Sequence, residues 1–139
     1  MDKSELIDAL NEDLGTEFQS IVQYTQHSAT IKGAKYGAIV EELAKHLAQE
    51  LEHAKVLANQ IDFLGGTPTV EVPHIESVSD GEAALAQDLA LEEKQLQRYR
   101  DRYTEANELG LPDVAEALRP LLEQTQDHVG DLRDALGKD

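Results

Sequence analysis

The stretch that decides the fold is residues 39–64, IVEELAKHLAQELEHAKVLANQIDFL. Ile39, Leu43, Leu57 and Leu64 recur at helical spacing, flanked by Val40, Ala44, Leu47, Leu51, Ala54, Ala58 and Ile61. This is the periodicity of an amphipathic helix. Continued through the middle of the segment, however, the apolar stripe meets His46, Glu50 and His53 in succession. A helix built to bury one face carries its most polar residues at the centre of that face.

Three other segments have the same character. Leu6, Leu10, Leu14, Ile21 and Ile31 predict a helix over about 4–31, and the segment just quoted one over about 36–64. Leu85, Leu89, Leu96, Tyr99 and Tyr103 predict a third over about 80–109. Val114, Leu118, Leu121 and Leu132 predict a fourth over about 112–137. The breaks contain Gly33 and Gly37, Gly110 and Pro112, and the longer run 65–79 with Gly65, Gly66, Pro68 and Pro73. Ser79-Asp80-Gly81-Glu82 reads as a cap with an acidic first turn, and Pro112-Asp113 suits a helix start. Each helix would span ~40 Å at ~1.5 Å per residue. The fifteen residues 65–79 reach ~50 Å when extended, enough to run the length of such helices. These lengths predict an all-α protein: one domain over 1–139, a four-helix bundle of two up-down pairs joined by a long crossover between helices two and three.

Composition narrows the function. The chain has 139 residues, 12 basic against 28 acidic, for a net charge of −16. With no basic cluster, nucleic acid is excluded as a partner, and so is an anionic membrane surface. The acidic balance suits cations. The absence of cysteine removes disulfides, thiolate zinc sites and thiol catalysis, and agrees with a cytoplasmic location. The first residues lack the apolar core of a signal peptide, and no apolar run approaches the ~20 residues of a membrane span.

Every predicted helix places polar side chains near the middle of its inward stripe. These are Glu17 on the first, His46, Glu50 and His53 on the second, Glu92 on the third, and Thr125 and His128 on the fourth. Taken singly, each has a plain structural reading. A lone glutamate snorkels to solvent, a lone histidine is hydrogen-bonded in the core, and Glu-x-x-His is common in acidic helices. The coincidence on all four helices favours a shared ligand, because desolvating unpaired carboxylates costs several kcal/mol each. A cation compensates best, and mixed carboxylate and imidazole donors suit iron, with manganese or zinc as alternatives. Glu50-x-x-His53 places both groups on one face about a turn apart. His46 reads as a hydrogen-bonding neighbour. Tyr24, Tyr99 and Tyr103 read as core aromatics whose hydroxyls need partners. Glu41-Glu42 and Asp131/Asp134 read as solvated faces.

These residues resemble a known family. Leu14-Gly15-Thr16-Glu17-Phe18, Ile21, Gln23-Tyr24 and His27 resemble the first helix of bacterioferritins. Glu50-Leu51-Glu52-His53-Ala54 and Phe63-Leu64-Gly65-Gly66 resemble the second helix and its exit, and Asp88-Leu89-Ala90-Leu91-Glu92 the third. The resemblance spans nearly the whole chain and is weakest in the fourth helix. It implies the crossover bundle and a dinuclear iron centre fed by one glutamate each from helices one and three and a Glu-x-x-His pair each from helices two and four. Carried over position by position, Glu17, Glu50, His53, Glu92 and His128 match as metal ligands. The remaining glutamate falls on Thr125, whose short neutral side chain cannot bridge two ions. Three carboxylates then carry −3 against the +4 of two divalent ions. Glu123 and Asp127 lie roughly 200° around the helix from Thr125, so neither replaces it without local distortion.

Further departures shape the expectation. Leu51 stands where the family has its haem-ligating methionine, and Met1 is the only methionine, so no haem is expected. The chain ends after helix four, without the short fifth helix of the 24-subunit shell, so a homodimer or other homo-oligomer is expected instead. The leading expectation is Fe(II) binding and oxidation to Fe(III) by O2 or peroxide, with impaired or asymmetric occupancy. The alternatives are a non-redox metal carrier or sensor and a metal-free dimeric scaffold. A DNA-protecting mini-ferritin is disfavoured by its different ligand pattern and by the lack of a basic tail here.

Overall fold

The structure, a computed structural model, describes residues 1–138. Four long helices form: α1 (Lys3–Thr30), α2 (Gly37–Phe63), α3 (Gly81–Glu108) and α4 (Pro112–Ala135). A 3-10 turn, Ala34–Tyr36, precedes α2, and the described residues contain no strand. Local chemistry sets the ends. Asp2 and Glu5 form a reciprocal capping box at the start of α1. The Asp80 carboxylate accepts from the Ala83 N–H, 2.8 Å away, at the start of α3. Pro112 occupies the first turn of α4, where its missing N–H costs nothing. After α3, Gly110 adopts φ of 75° and lets the Leu111 N–H bond back to the Ala106 carbonyl at 2.9 Å. No helix is long and apolar enough to cross a membrane.

α1 packs against α2 and α3, and α4 against α3 and α2. The crossover lies along α1. The Asn11 amide brackets its start, donating to the Thr67 carbonyl and accepting from the Thr69 N–H. Further along, Gly15 lies against Glu71 and Pro73, and Gln26 donates to Ser77. The close approach at its beginning depends on Gly66, where a Cβ would meet Ile7 at 2.5 Å.

The core is divided in two. One apolar cluster contains Leu10, Leu14, Leu57, Ile61, Val114 and Leu118. The other contains Ile39, Leu43, Leu85, Leu89, Val129 and Leu132. Between them, at mid-length, lies a band of fully buried polar side chains: Glu17, Glu50, His53, Glu92, Gln95, Thr125 and His128. Burial of the apolar ends, at ~25 cal/mol per Å², pays for holding that band dry.

Candidate metal centre

α1 contributes Glu17, α2 Glu50 and His53, α3 Glu92, and α4 Thr125 and His128, each at most 2% exposed. The donor atoms fall into two groups close enough to share an ion. One is Glu17, Glu50 and His53; the other is Glu50, Glu92 and His128. Glu50 belongs to both. Its Oε2 lies 3.5 Å from His53 Nδ1, and its Oε1 lies 2.9 Å from His128 Nδ1. The two imidazoles are 6.1 Å apart and nearly parallel, with an interplanar angle of 20°. One carboxylate thus stands between two histidines, flanked by Glu17 and Glu92.

Several of these atoms lack a hydrogen-bond partner although they are buried. They are Glu17 Oε2, Glu50 Oε1, His53 Nδ1, His128 Nδ1 and Thr125 Oγ1. Buried polar atoms are almost always satisfied, so a group of orphans at one spot asks for a ligand. Carboxylate oxygens and imidazole nitrogens are the donors iron, manganese and zinc accept. The residues fit a pair of such ions.

The opposite edges of these side chains are held by hydrogen bonds. His53 Nε2 lies 2.8 Å from Gln124 Oε1, and His128 Nε2 lies 2.5 Å from Gln49 Oε1. An amide oxygen only accepts, so both Nε2 atoms carry the proton and both Nδ1 lone pairs face the centre. The Tyr99 hydroxyl donates to Glu17 in a short bond, and Gln95 donates to the same oxygen at 2.9 Å. The Tyr24 hydroxyl donates to Glu92 at 3.0 Å. Burial and the neighbouring glutamate charges push both phenols well above their ordinary pKa, so they remain donors.

The bonds are reciprocal. Tyr99 of α3 serves Glu17 of α1, and Tyr24 of α1 serves Glu92 of α3. Gln124 of α4 serves His53 of α2, and Gln49 of α2 serves His128 of α4. Every equivalent pair (Glu17 and Glu92, Tyr24 and Tyr99, Gln49 and Gln124, His53 and His128) is 75 residues apart. The same step carries Glu50 onto Thr125. Gln49 and Gln124 were not singled out from the sequence, yet their signal was present: Gln-Glu-x-x-His at 49–53 and Gln-Thr-x-x-His at 124–128.

Electrostatics without metal follow from three carboxylates in one dry space. Burial, with the charges of Glu17 and Glu92 added, raises the Glu50 carboxyl well above its usual range. Burial acts the same way on Glu17, but hydrogen bonding from Glu50 and Tyr99 and the nearby His53 ring outweigh it and hold that carboxyl down at about 2. Burial lowers the His53 pKa, and the Glu17 carboxylate more than reverses this. The Glu50 carboxyl therefore holds its proton to higher pH than a free glutamate, and a cation arriving there competes with that proton.

A family model described as a ferritin-like domain matches residues 7–139. The chain belongs to the ferritin-like family. Among solved structures it is similar to a ferritin-like, diiron-carboxylate protein from Bacillus anthracis str. Ames. The two are 29% identical over 98% of each chain, with a TM-score of 0.92. It is also similar to a dodecameric thioferritin, the bacterioferritin-related protein from Bacteroides fragilis. That match is 25% identical over 99% of this chain and 87% of the other, with a TM-score of 0.84. No curated protein sequence matches the chain. Membership of this family and the buried glutamate and histidine groups support iron binding in general.

Three neighbours differ from their sequence reading. Tyr103 is half-buried at the α3–α4 edge, where its hydroxyl donates to Glu116 and accepts from Arg119, away from the centre. Glu42 and Asp131 are only partly exposed, and Asp131 Oδ2 is 3.0 Å from His46 Nε2. The His46 ring stacks on His128 at 4.0 Å between centroids.

Proposed function

We propose that the chain binds a pair of Fe(II) ions, with Glu17, Glu50, His53, Glu92 and His128 as their ligands, and that these ions are oxidised there by O2 or peroxide. The observation that carries this reading is Glu50, shared by two three-residue donor groups in which Glu17 Oε2, Glu50 Oε1 and the Nδ1 atoms of His53 and His128 lack a hydrogen-bond partner. Bound iron supplies the electrons that O2 or peroxide accepts. The chain's own residues supply the rest. Glu50 gives up its proton as the cations arrive and holds both ligand groups together. Gln49 and Gln124 fix the histidine tautomers. Tyr24 and Tyr99 orient Glu92 and Glu17. The apolar clusters at either end keep bulk water away, and the acidic surface raises the local concentration of cations.

A specific observation favours a second reading. Thr125 is buried where the two-fold counterpart of Glu50 stands, leaving three carboxylates for two divalent ions. Asymmetric occupancy would follow, and in the extreme a carrier or sensor that holds an ion without turning it over. The metal-free scaffold is the weaker reading, because it leaves the orphaned donors without a function. We further propose a single cytoplasmic domain acting as a homodimer or larger homo-oligomer, as the dodecameric relative illustrates.

Oxygen uptake after anaerobic Fe(II) loading separates these readings. The redox reading expects uptake that scales with bound iron and is absent from the Glu50→Gln variant. Iron bound tightly with no uptake would leave the carrier, and no iron bound would leave the scaffold.

A further inference from the structure

We propose that the buried centre takes up a small carboxylate-like monoanion, of the class of formate or bicarbonate, held by the Thr125 hydroxyl as a partner of the two ions. The inference rests on the metal pair proposed above and concerns what serves in place of the carboxylate that α4 does not supply. Thr125 occupies the position that the 75-residue step assigns to the counterpart of Glu50. The supports around it are those of the other half: Gln124 meets His53 at 2.8 Å, as Gln49 meets His128 at 2.5 Å. The helices are set as they are around Glu50, but the side chain at 125 stops at its γ position.

The Thr125 hydroxyl is the observation that points to a ligand. A threonine within a helix commonly turns its hydroxyl back onto the carbonyl four residues earlier. Thr16, Thr25 and Thr30 do so, at 3.1, 2.6 and 2.9 Å. Thr125 does not: it is 1% exposed, and its Oγ1 has no partner. A cation alone does not satisfy this group, because the hydroxyl proton needs an acceptor. An oxyanion bound at the ions is such an acceptor. A charge-assisted O–H···O bond spans about 2.6 Å, close to the reach from the γ carbon of a glutamate to its carboxylate oxygens. The hydroxyl can therefore hold an anion's oxygen near the place a glutamate at 125 would put its own. Charge selects the same class of ligand. Against two divalent ions, Glu17, Glu50 and Glu92 leave one positive charge over, and a monoanion cancels it. Without metal the buried carboxylates repel an anion, so anion and metal bind together.

The test uses Zn(II), which is redox-silent, in competition titrations of the full-length chain. The buffer is free of CO2 and contains sodium formate, or sodium chloride at equal ionic strength. In wild type, formate should tighten the second Zn(II) about tenfold, and Zn(II) should tighten formate by the same factor. The carbon-13 signal of labelled formate should shift or broaden only when Zn(II) is present, with about one formate bound per chain. Bicarbonate should act in the same direction, and the anion with the larger effect is the better fit. Thr125→Ser should keep the effect. Thr125→Val, which removes the hydroxyl at nearly constant shape, and Thr125→Glu, which brings its own carboxylate, should both lose it while still binding Zn(II). Zn(II) that is lost in Glu50→Gln but indifferent to both anions would overturn the anion and leave the metal pair, with a hydroxide from water in that place. An equal anion effect in Thr125→Val would also overturn it. No Zn(II) at the centre, with or without anion, would overturn the pair and the anion together.

Discussion

The two halves of the bundle, α1–α2 and α3–α4, are built on one plan and differ at a few positions that matter. The shared part is extensive. Leu10 and Leu14 match Leu85 and Leu89, and Leu43 and Leu57 match Leu118 and Leu132, each 75 residues on. Leu10 and Leu57 lie in one apolar cluster while their counterparts lie in the other, so the plan relates the two ends of the bundle. Buried carboxylates tie the halves together on both sides of the centre. Arg102 clasps Asp13 at 2.9 and 3.3 Å, and His27 holds Asp88 at 2.8 and 2.9 Å. Against this background Glu50 is matched by Thr125 and His46 by Leu121. The hydrogen bonds that hold the central side chains are duplicated, whereas the central Glu50 carboxylate is not. The framework of a symmetric centre is therefore kept while the two donor groups differ at its middle.

The largest expected effect comes from breaking the one element both ligand groups share. Glu50→Gln should abolish binding at the buried pair. At about a thousandfold excess of metal over its Kd, wild type gains ~4 kcal/mol of stability from ligation. For a chain of this size that is on the order of 10–15 °C in Tm. Calorimetry with and without Zn(II) should show the gain largely lost in the variant. An undiminished gain would remove Glu50 from the centre.

Restoring the missing counterpart sharpens the comparison from the other side. Thr125→Glu places a fourth carboxylate opposite Glu50 and brings the charge to −4 against +4. The metal-free variant should melt lower than wild type, because another buried carboxylate goes uncompensated. Its second ion should bind about tenfold tighter, or ~1.4 kcal/mol. Competition titration reads both ions; a second ion bound no more tightly would mean that Thr125 is not the source of asymmetry.

Gln49→Leu and Gln124→Leu should each weaken metal binding by roughly 10–100-fold, since each frees one histidine to rotate or change tautomer. The comparison predicts similar losses, each in the ion held by the opposite helix. Loss in only one variant would show that the duplication is one of sequence and not of role.

The smallest effect is in pH dependence. The Glu50 carboxyl is raised in the metal-free fold, so its contribution to stability is full below the ordinary carboxyl range and declines as pH rises through the raised value. Metal takes the place of that proton and binds better at higher pH. The Tm gain on adding Zn(II) should therefore be larger at about pH 7.5 than at about pH 5.5. A gain independent of pH would mean that no proton is displaced.

The bundle was legible because helical periodicity is a long-range signal. Leu and Ile stripes over four segments, with a fifteen-residue break too long for a turn, leave few architectures. The central band was legible for the opposite reason, since Glu17, Glu50, Glu92 and His128 violate stripes that otherwise hold. The supporting bonds were harder to see. Gln49 and Gln124 lie off the apolar stripes and act across helices, and only assembly shows which ring each amide touches. Asp131 looked like solvated surface because its partner, His46, is on another helix.

Anomalous diffraction at the iron edge, from crystals loaded with Fe(II) without oxygen, tests the central claim most directly. The account predicts two iron peaks in the buried band, one on each side of the Glu50 carboxylate, with the weaker occupancy attributable to the Thr125 substitution. Iron bound elsewhere with none beside Glu50 would contradict it.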